Sequence, residues 1–75
     1  MSNTILIIDD EEFLCAGLKE GLTDEGYVVN TAGMGDMGVL MAKRDNPSLV
    51  LLDYKLPDMD GLEVLGQLNA IDPAP

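Results

Sequence analysis

The chain has 75 residues and a formal net charge of −10, from 14 acidic and 4 basic side chains. So few basic side chains argue against direct contact between this segment and nucleic acid, because phosphate binding needs Lys and Arg. Its apolar stretches are too short to cross a bilayer, and its N-terminus does not resemble a signal peptide. We therefore expect one small globular domain in the cytoplasm, with no membrane contact.

The first predicted unit is a strand followed by a helix. Thr4–Ile8 is an apolar, β-branched run, typical of a strand buried on both faces in a parallel sheet. Helical spacing then runs from Glu11 to about Thr23, and Gly26 is the signal that ends this helix. Cys15, the only cysteine, excludes a disulfide within the chain, and we expect it to be a small apolar residue on the helix. The other apolar positions recur every four residues: Leu14, Leu18 and Leu22.

The second predicted unit has the same order but a weaker helix. Tyr27–Thr31 is a short strand, and helical spacing runs from Met34 to about Arg44. Three glycines weaken this helix, each by roughly 1 kcal/mol relative to Ala. We expect the methionines on its stripe to fill the core: Met34, Met37 and Met41. Asp45–Pro47 is predicted to be a turn.

The third predicted strand, Leu49–Leu52, also has the pattern of a strand buried on both faces. Asp60 is predicted to cap the following helix, with Glu63 completing the capping box. The segment Asp72–Pro75 ends that helix. Its apolar face is predicted to comprise Leu62, Val64, Leu65, Leu68 and Ile71.

This alternation of strand and helix predicts parallel strands joined by right-handed crossovers. With the first strand in the middle, the strand order is 2-1-3. Crossover handedness then puts the first helix on one face of the sheet and the other two helices on the opposite face.

Three aspartates, Asp9, Asp10 and Asp53, follow the carboxyl ends of the first and third strands. In this strand order they converge at the edge where open parallel sheets bind ligands. Like charges held together need a compensating cation, and a cluster of oxygen ligands suits Mg²⁺, which also neutralises phosphoryl oxygens. A carboxylate beside such a metal can act as a nucleophile. Any single aspartate in such a place can also be a plain helix cap or turn former, but three in this order favour a site.

Two stretches resemble a known family: Ile5–Glu12, with the sequence Ile-Leu-Ile-Ile-Asp-Asp-Glu-Glu, and Leu49–Gly61, which contains Leu-Pro-Asp-Met-Asp-Gly. At this separation, the two make the whole sequence resemble response-regulator receiver domains of two-component signalling. The resemblance implies an α/β, flavodoxin-like, doubly wound parallel sheet. It also implies a role in signal transduction, not in enzymatic turnover.

The resemblance assigns roles to individual residues. It implies that Asp53 is the phosphoacceptor and that a phosphohistidine on a sensor histidine kinase is the donor. It implies Mg²⁺ as the cofactor, bound by Asp10 directly and by Asp9 directly or through water, with Asp53 and the backbone carbonyl of Lys55 as further ligands. Pro57 and Gly61 would shape the loop before the third helix, Gly61 because the backbone needs freedom there.

The chain also departs from the family pattern, which has five βα units where residues 1–75 hold about three. We expect 1–75 to be a partial receiver domain without the fourth and fifth units. The family's Ser/Thr after the fourth strand and Lys after the fifth are absent from it. Such a fragment is expected to be phosphorylated slowly or not at all and to lack the switch. Its third strand becomes an unprotected edge, which predicts a two-fold dimer through that strand or through the bare sheet face.

Three other interpretations are open to test. Asp58-Met59-Asp60-Gly61 mimics the nucleophile motif of haloacid-dehalogenase-type phosphatases, with Asp58 as nucleophile, but Leu-Pro separates it from the strand that such a motif follows. A calcium loop of the EF-hand kind lacks the ligand spacing and the closing Glu. The third is a self-associating structural fragment without phosphotransfer, which labelling with a phosphoryl donor distinguishes from a signalling domain.

Overall fold

Three parallel strands and three helices alternate along the chain in the computed structural model, which describes residues 3–71 and 74–75. They are β1 (Thr4–Ile8), α1 (Glu12–Asp24), β2 (Val28–Ala32), α2 (Gly35–Asp45), β3 (Leu49–Leu52) and α3 (Gly61–Asn69). The strands form one sheet in the order β2-β1-β3. The predicted alternation and strand order are confirmed. Helix α3 ends at Asn69, before the segment Asp72–Pro75 that is predicted to end it, of which Asp72 and Pro73 lie outside the described residues.

The central strand, β1, forms the middle of the core. Its residues from Ile5 to Ile8 are all buried. Successive side chains of a strand point to opposite faces, so Ile5 and Ile7 contribute to one apolar cluster, and Leu6 and Ile8 to the other. β1 therefore holds both layers of the domain together.

Helices cover both faces of the sheet. Cys15 of α1 packs with Val29 of β2 on one face. The opposite cluster takes two buried residues each from β1, α2 and α3: Leu6, Ile8, Val39, Ala42, Val64 and Leu68. This distribution confirms the predicted placement of the helices. Within the described residues, no helix combines the length and apolarity that a bilayer span requires.

Strand β3 is less buried than its sequence pattern predicts. Leu49 is 48% exposed, and the other three residues of β3 are half-buried. Among the described strands, β3 pairs only with β1. The apolar pattern is typical of a strand with neighbours on both sides, and here one side is open.

The apolar face of α3 is narrower than predicted. Val64 and Leu68 are buried, and Ile71 packs against the same cluster just beyond the helix end. Leu62, however, is 65% exposed and Leu65 is also exposed, so their predicted place in the core is wrong. The buried residues are spaced to lie on one stripe of the helix, and the other two lie outside it.

Helix α2 packs against the core through two glycines, Val39 and Ala42, not through most of the predicted methionines. Gly35 and Gly38 are buried, whereas Met34 and Met37 are exposed. Only Met41 of the predicted stripe packs against the core. A Cβ added at Gly38 would lie 2.5 Å from Cδ1 of Ile8, so the bare glycine permits the close approach of helix and strand. Gly38 therefore lowers the helix propensity of α2, but the close packing of α2 against Ile8 requires it.

The element boundaries differ from the prediction by about one residue. β2 runs from Val28 to Ala32 rather than from Tyr27 to Thr31. α1 ends at Asp24, and Gly26 follows with φ of +96°, as expected for a residue that ends a helix. On α1, Leu14 and Leu18 are exposed, while Leu22 packs against the core.

The two helix glycines Gly38 and Gly17 predict opposite effects of the same substitution. Gly38→Ala should lower the free energy of unfolding by about 1–2 kcal/mol, because its methyl group overpacks against Ile8. Gly17→Ala should raise it by about 0.5–1 kcal/mol, because nothing lies within 4 Å of the added Cβ and Ala favours a helix. Urea unfolding measures both. Equal effects of the two substitutions would contradict this packing of α2 on β1.

Candidate functional site

The sheet itself positions two of the three predicted aspartates. The Asp9 N–H donates to the Ala32 carbonyl oxygen at 2.9 Å, and the Asp53 N–H donates to the Ile8 carbonyl oxygen at 2.8 Å. Both bonds continue the parallel ladder one residue beyond the assigned strands. The backbones of Asp9 and Asp53 are therefore fixed where β1 and β3 end.

At this edge Asp9, Asp10 and Asp53 each offer one carboxylate oxygen, and the three atoms all lie within 4.8 Å of one another. Asp9 and Asp53 are half-buried, and Asp10 is exposed. Asp9 Oδ1 also accepts a hydrogen bond from the Glu11 N–H at 2.9 Å, which orients its carboxylate. The predicted convergence of the three side chains is confirmed. An all-oxygen set of this size has the chemistry that a hard divalent cation requires.

The Cys15 thiol lies beside this acidic edge, and both burial and the nearby negative charge raise its pKa. Its Sγ donates to the Asp9 carbonyl oxygen at 3.4 Å. Burial raises the pKa of the Cys15 thiol, and the negative charges of Asp9, Asp10 and Glu11 raise it further. The thiol therefore stays protonated at neutral pH, in agreement with the expected role of Cys15 as a small apolar residue.

A groove of about 640 Å³ borders the acidic edge, between the start of α1 and the start of α2. Asp10 and Lys19 line one part of it, and Met34 and Met37 line another. This placement accounts for the exposure of those two methionines. It also leaves Asp10 accessible to solvent and ions.

The loop between β3 and α3 is folded back on itself. Lys55 and Asp60 form an isolated antiparallel bridge, and the Gly61 N–H donates to the Tyr54 carbonyl oxygen at 2.5 Å. Inside the bridge, the Leu56 N–H donates to the Met59 carbonyl oxygen at 3.3 Å. Lys55 thus belongs to a closed hairpin that begins directly after Asp53. The role of its carbonyl as a metal ligand stays a prediction.

Gly61 is required for space rather than for backbone freedom. Gly26, not Gly61, is the glycine with positive φ in the described part of the chain. A Cβ added at Gly61 would lie 2.9 Å from the Tyr54 Cα and 3.0 Å from the Asp53 carbonyl oxygen. The expectation of conformational freedom at Gly61 is therefore wrong, and the close approach of α3 to the end of β3 is the reason for glycine.

Asp58 lies apart from the three-carboxylate cluster and caps α2. Its Oδ1 accepts from the Gly35 N–H at 2.7 Å, and its Oδ2 accepts from the Asp36 N–H at 2.9 Å. These backbone bonds, that of Asp36 first and then that of Gly35, lower the pKa of the Asp58 carboxyl. Both oxygens are engaged at a helix terminus, which does not fit a nucleophile.

Sequence reasoning missed this cap because Asp58 lies 23 residues along the chain from Gly35. One signal was present: Met34, the residue before α2, has no side-chain oxygen that could cap the helix, and in the structure it forms no side-chain cap bond. A helix that begins after such a residue needs an acceptor from elsewhere. Asp60, by contrast, caps its own helix as predicted, accepting from the Glu63 N–H at 2.9 Å.

Comparison with known families accounts for this arrangement. The model of the response regulator receiver domain matches residues 5–75. The chain belongs to the response-regulator receiver family. Receiver domains are signalling domains, so the family also argues against the phosphatase and EF-hand alternatives.

Curated receivers match nearly the whole chain. The alkaline phosphatase synthesis transcriptional regulatory protein PhoP of Bacillus subtilis is 41% identical over 69 residues, which are 92% of this chain and 29% of PhoP. Sporulation initiation phosphotransferase F of the same organism is 39% identical over 72 residues, which are 96% of this chain and 58% of that protein. The chain therefore spans between about a third and three fifths of these relatives.

Solved receivers share its fold. The CheY-like receiver domain protein of Methanospirillum hungatei has a TM-score of 0.91 at 34% identity, over 97% of this chain and 58% of that one. TrrA of Thermotoga maritima, solved in complex with Mg²⁺-BeF, has a TM-score of 0.83 at 39% identity, over 92% of this chain and 59% of its own. The expected flavodoxin-like sheet, represented here by three βα units, is confirmed.

Proposed function

We propose that this receiver accepts a phosphoryl group on Asp53, with Mg²⁺ bound by Asp9, Asp10, Asp53 and the carbonyl of Lys55. The donor is a phosphohistidine on a sensor histidine kinase. One observation carries the proposal: three carboxylate oxygens within 4.8 Å at the carboxyl ends of β1 and β3. Ionised carboxylates this close repel one another unless a cation lies between them.

The donor set fits Mg²⁺. All three side-chain ligands are oxygens, and Asp10 is exposed, so the metal can retain the waters that it usually keeps. The solved relative TrrA contains Mg²⁺ with BeF, which supports the same chemistry for this chain. When bound, the metal neutralises the oxygens of the phosphoryl group during transfer.

Among the three aspartates, Asp53 is best placed to be the nucleophile. Its backbone is held by the bond to Ile8, and it is half-buried. Asp9 has one oxygen engaged by the Glu11 N–H, and Asp10 is exposed. In the transfer, a carboxylate oxygen of Asp53 forms a bond to phosphorus as the phosphorus–nitrogen bond of the donor breaks. The leaving imidazole keeps the bonding electron pair and takes a proton from solvent, and an aspartyl-phosphate is formed.

Residues 1–75 supply the acidic half of a receiver in this proposal, namely its first three βα units. The coverage of the solved receivers, between half and two thirds of their length, supports this assignment. The Ser/Thr and Lys that the family pattern places on later units would stabilise the transferred charge, so transfer to this chain alone is slow.

A cytoplasmic location and the lack of direct nucleic-acid contact are further parts of the proposal. The net charge of −10 supports the lack of nucleic-acid contact.

Incubation with acetyl phosphate and Mg²⁺, followed by borohydride trapping and mass spectrometry, tests the transfer. We expect slow labelling of Asp53 alone, abolished by EDTA and by Asp53→Asn. The matched control is Asp60→Asn, which removes an acid of the same loop and should leave the label in place. Label on Asp58 or Asp60, or no label after prolonged incubation, would contradict transfer to Asp53.

We also propose that a chain made of these 75 residues forms a dimer through β3. The supporting observation is that β3 pairs only with β1 in the described sheet and leaves Leu49 half exposed. A groove of about 180 Å³ beside it is lined by apolar side chains of β3 and α3, including Val50 and Leu65. Unpaired strand edges bind other strands, and a two-fold axis makes this pairing antiparallel.

Sedimentation equilibrium over a wide concentration range tests this dimer. We expect a concentration-dependent monomer–dimer equilibrium that Leu49→Lys shifts towards monomer, because a charge at the edge opposes strand pairing. Leu62→Lys is the matched control, since Leu62 is even more exposed but lies outside this groove. The dimer assignment fails if the chain stays monomeric throughout or if both substitutions act alike.

A further inference from the structure

The acidic site and helix α2 are joined by a contact that the transfer chemistry above does not use. Asp58 lies in the loop that follows the phosphoacceptor, yet both of its carboxylate oxygens accept hydrogen bonds from α2. The donors are the N–H groups of Gly35, at 2.7 Å, and Asp36, at 2.9 Å. We infer that Asp58 is a positioning residue, which clamps the β3–α3 loop to α2 and so holds the Lys55 carbonyl in place for the metal. This inference rests on the proposed function.

The loop is built to transmit such a constraint. Its base is closed by the bond from the Gly61 N–H to the Tyr54 carbonyl and by the bridge between Lys55 and Asp60. Within it, Leu56 and Met59 are joined by a further backbone bond. Only two residues, Leu56 and Pro57, separate Lys55 from Asp58, and all four lie inside this hairpin. A displacement of Asp58 therefore moves the peptide unit that carries the Lys55 carbonyl.

The first turn of α2 also contacts the β3–α3 loop through Met59. Met59 is half-buried and packs against the core cluster beneath α2. Gly35 is buried against it, because an added Cβ at Gly35 would collide with Cγ of Met59 and lie 2.8 Å from Cγ2 of Val64. Asp58 and Met59 thus contact one helix terminus, by charge-assisted hydrogen bonds and by apolar packing respectively.

The Asp58 carboxylate is chemically suited to bind the N-terminus of α2. The first N–H groups of a helix have no partner within the helix, and a carboxylate is the acceptor that the helix dipole favours there. Met34 provides no side-chain acceptor, and Asp36 Oδ1 accepts from the Met37 N–H at 2.7 Å. Among the described contacts, the side-chain acceptor for the N–H groups of Gly35 and Asp36 is Asp58. Residues that orient a metal ligand without touching the metal typically change affinity about 10–100-fold when they are replaced.

A Mg²⁺ titration followed by ¹H–¹⁵N NMR tests the inference, with the wild-type chain, Asp58→Ala and Asp58→Asn. The amide of Leu56 shares a peptide unit with the Lys55 carbonyl, so it reports coordination of that ligand. In the wild type we expect Mg²⁺ to shift the amides of Asp9, Asp10, Asp53 and Leu56. In Asp58→Ala we expect about tenfold weaker affinity, the lower end of the range for residues behind a ligand, and a diminished response at Leu56. Asp58→Asn keeps an oxygen that can accept from one of the two N–H donors. Its Mg²⁺ affinity should therefore lie between those of the wild type and Asp58→Ala.

Glu63→Gln is the matched control, because it removes one negative charge at the start of α3 without touching α2. We expect its Mg²⁺ affinity to stay within about twofold of the wild type, since exposed charges act weakly at a distance in salt. If Glu63→Gln weakened Mg²⁺ affinity as much as Asp58→Ala does, the loss would come from the removed charge and not from the contact with α2. That result would overturn the inference.

The other outcomes separate the inference from the proposed function. If Asp58→Ala binds Mg²⁺ like the wild type and Leu56 responds fully, Asp58 is a structural cap alone and the inference is wrong. If the wild type shows no response at the three aspartates, the proposed function itself fails. Should Asp58→Ala not fold, the same criteria apply to Asp58→Asn.

Discussion

The parallel pairing of β1 with β3 is the constraint on which the site depends. Ile8 lies level with Leu52 in this pairing, so the residues that follow them, Asp9 and Asp53, emerge side by side. The bond from the Asp53 N–H to the Ile8 carbonyl extends the pairing into the site. Asp10 joins them simply because it follows Asp9 before α1 begins. A different strand order would separate the carboxylates.

Burial of β1 provides the energy that holds these charges together. Its four buried residues belong to two clusters, one on each face of the sheet, so the strand cannot shift without disrupting both. Gly38 and Gly61 permit the close approach of α2 and α3 that fixes the strand ends. The three carboxylates therefore cannot move apart to reduce their repulsion, and a bound cation relieves it.

The sequence predicted the elements, the strand order and the convergence of the aspartates because each depends on a local pattern: an apolar run, a helical period and an acid at a strand end. It failed where the outcome depends on distant partners. The burial of β3 depends on a neighbour on its open side, and the place of Met37 depends on how closely Gly38 approaches Ile8. The cap that Asp58 provides for α2 joins residues 23 positions apart, and no local pattern encodes it.

The stability of Asp10→Asn with and without Mg²⁺ tests most directly whether this edge is a repulsive cluster relieved by a cation. In EDTA at low ionic strength, the substitution should raise the free energy of unfolding, because it removes a charge that repels its two neighbours. In saturating Mg²⁺ it should lower that free energy relative to the wild type, because a ligand is lost and binding stabilises the wild type more. Glu20→Gln, an exposed acid of α1, should show no such reversal. If Asp10→Asn is destabilising in EDTA, or if its effect is the same with and without Mg²⁺, the three aspartates do not form a cation site.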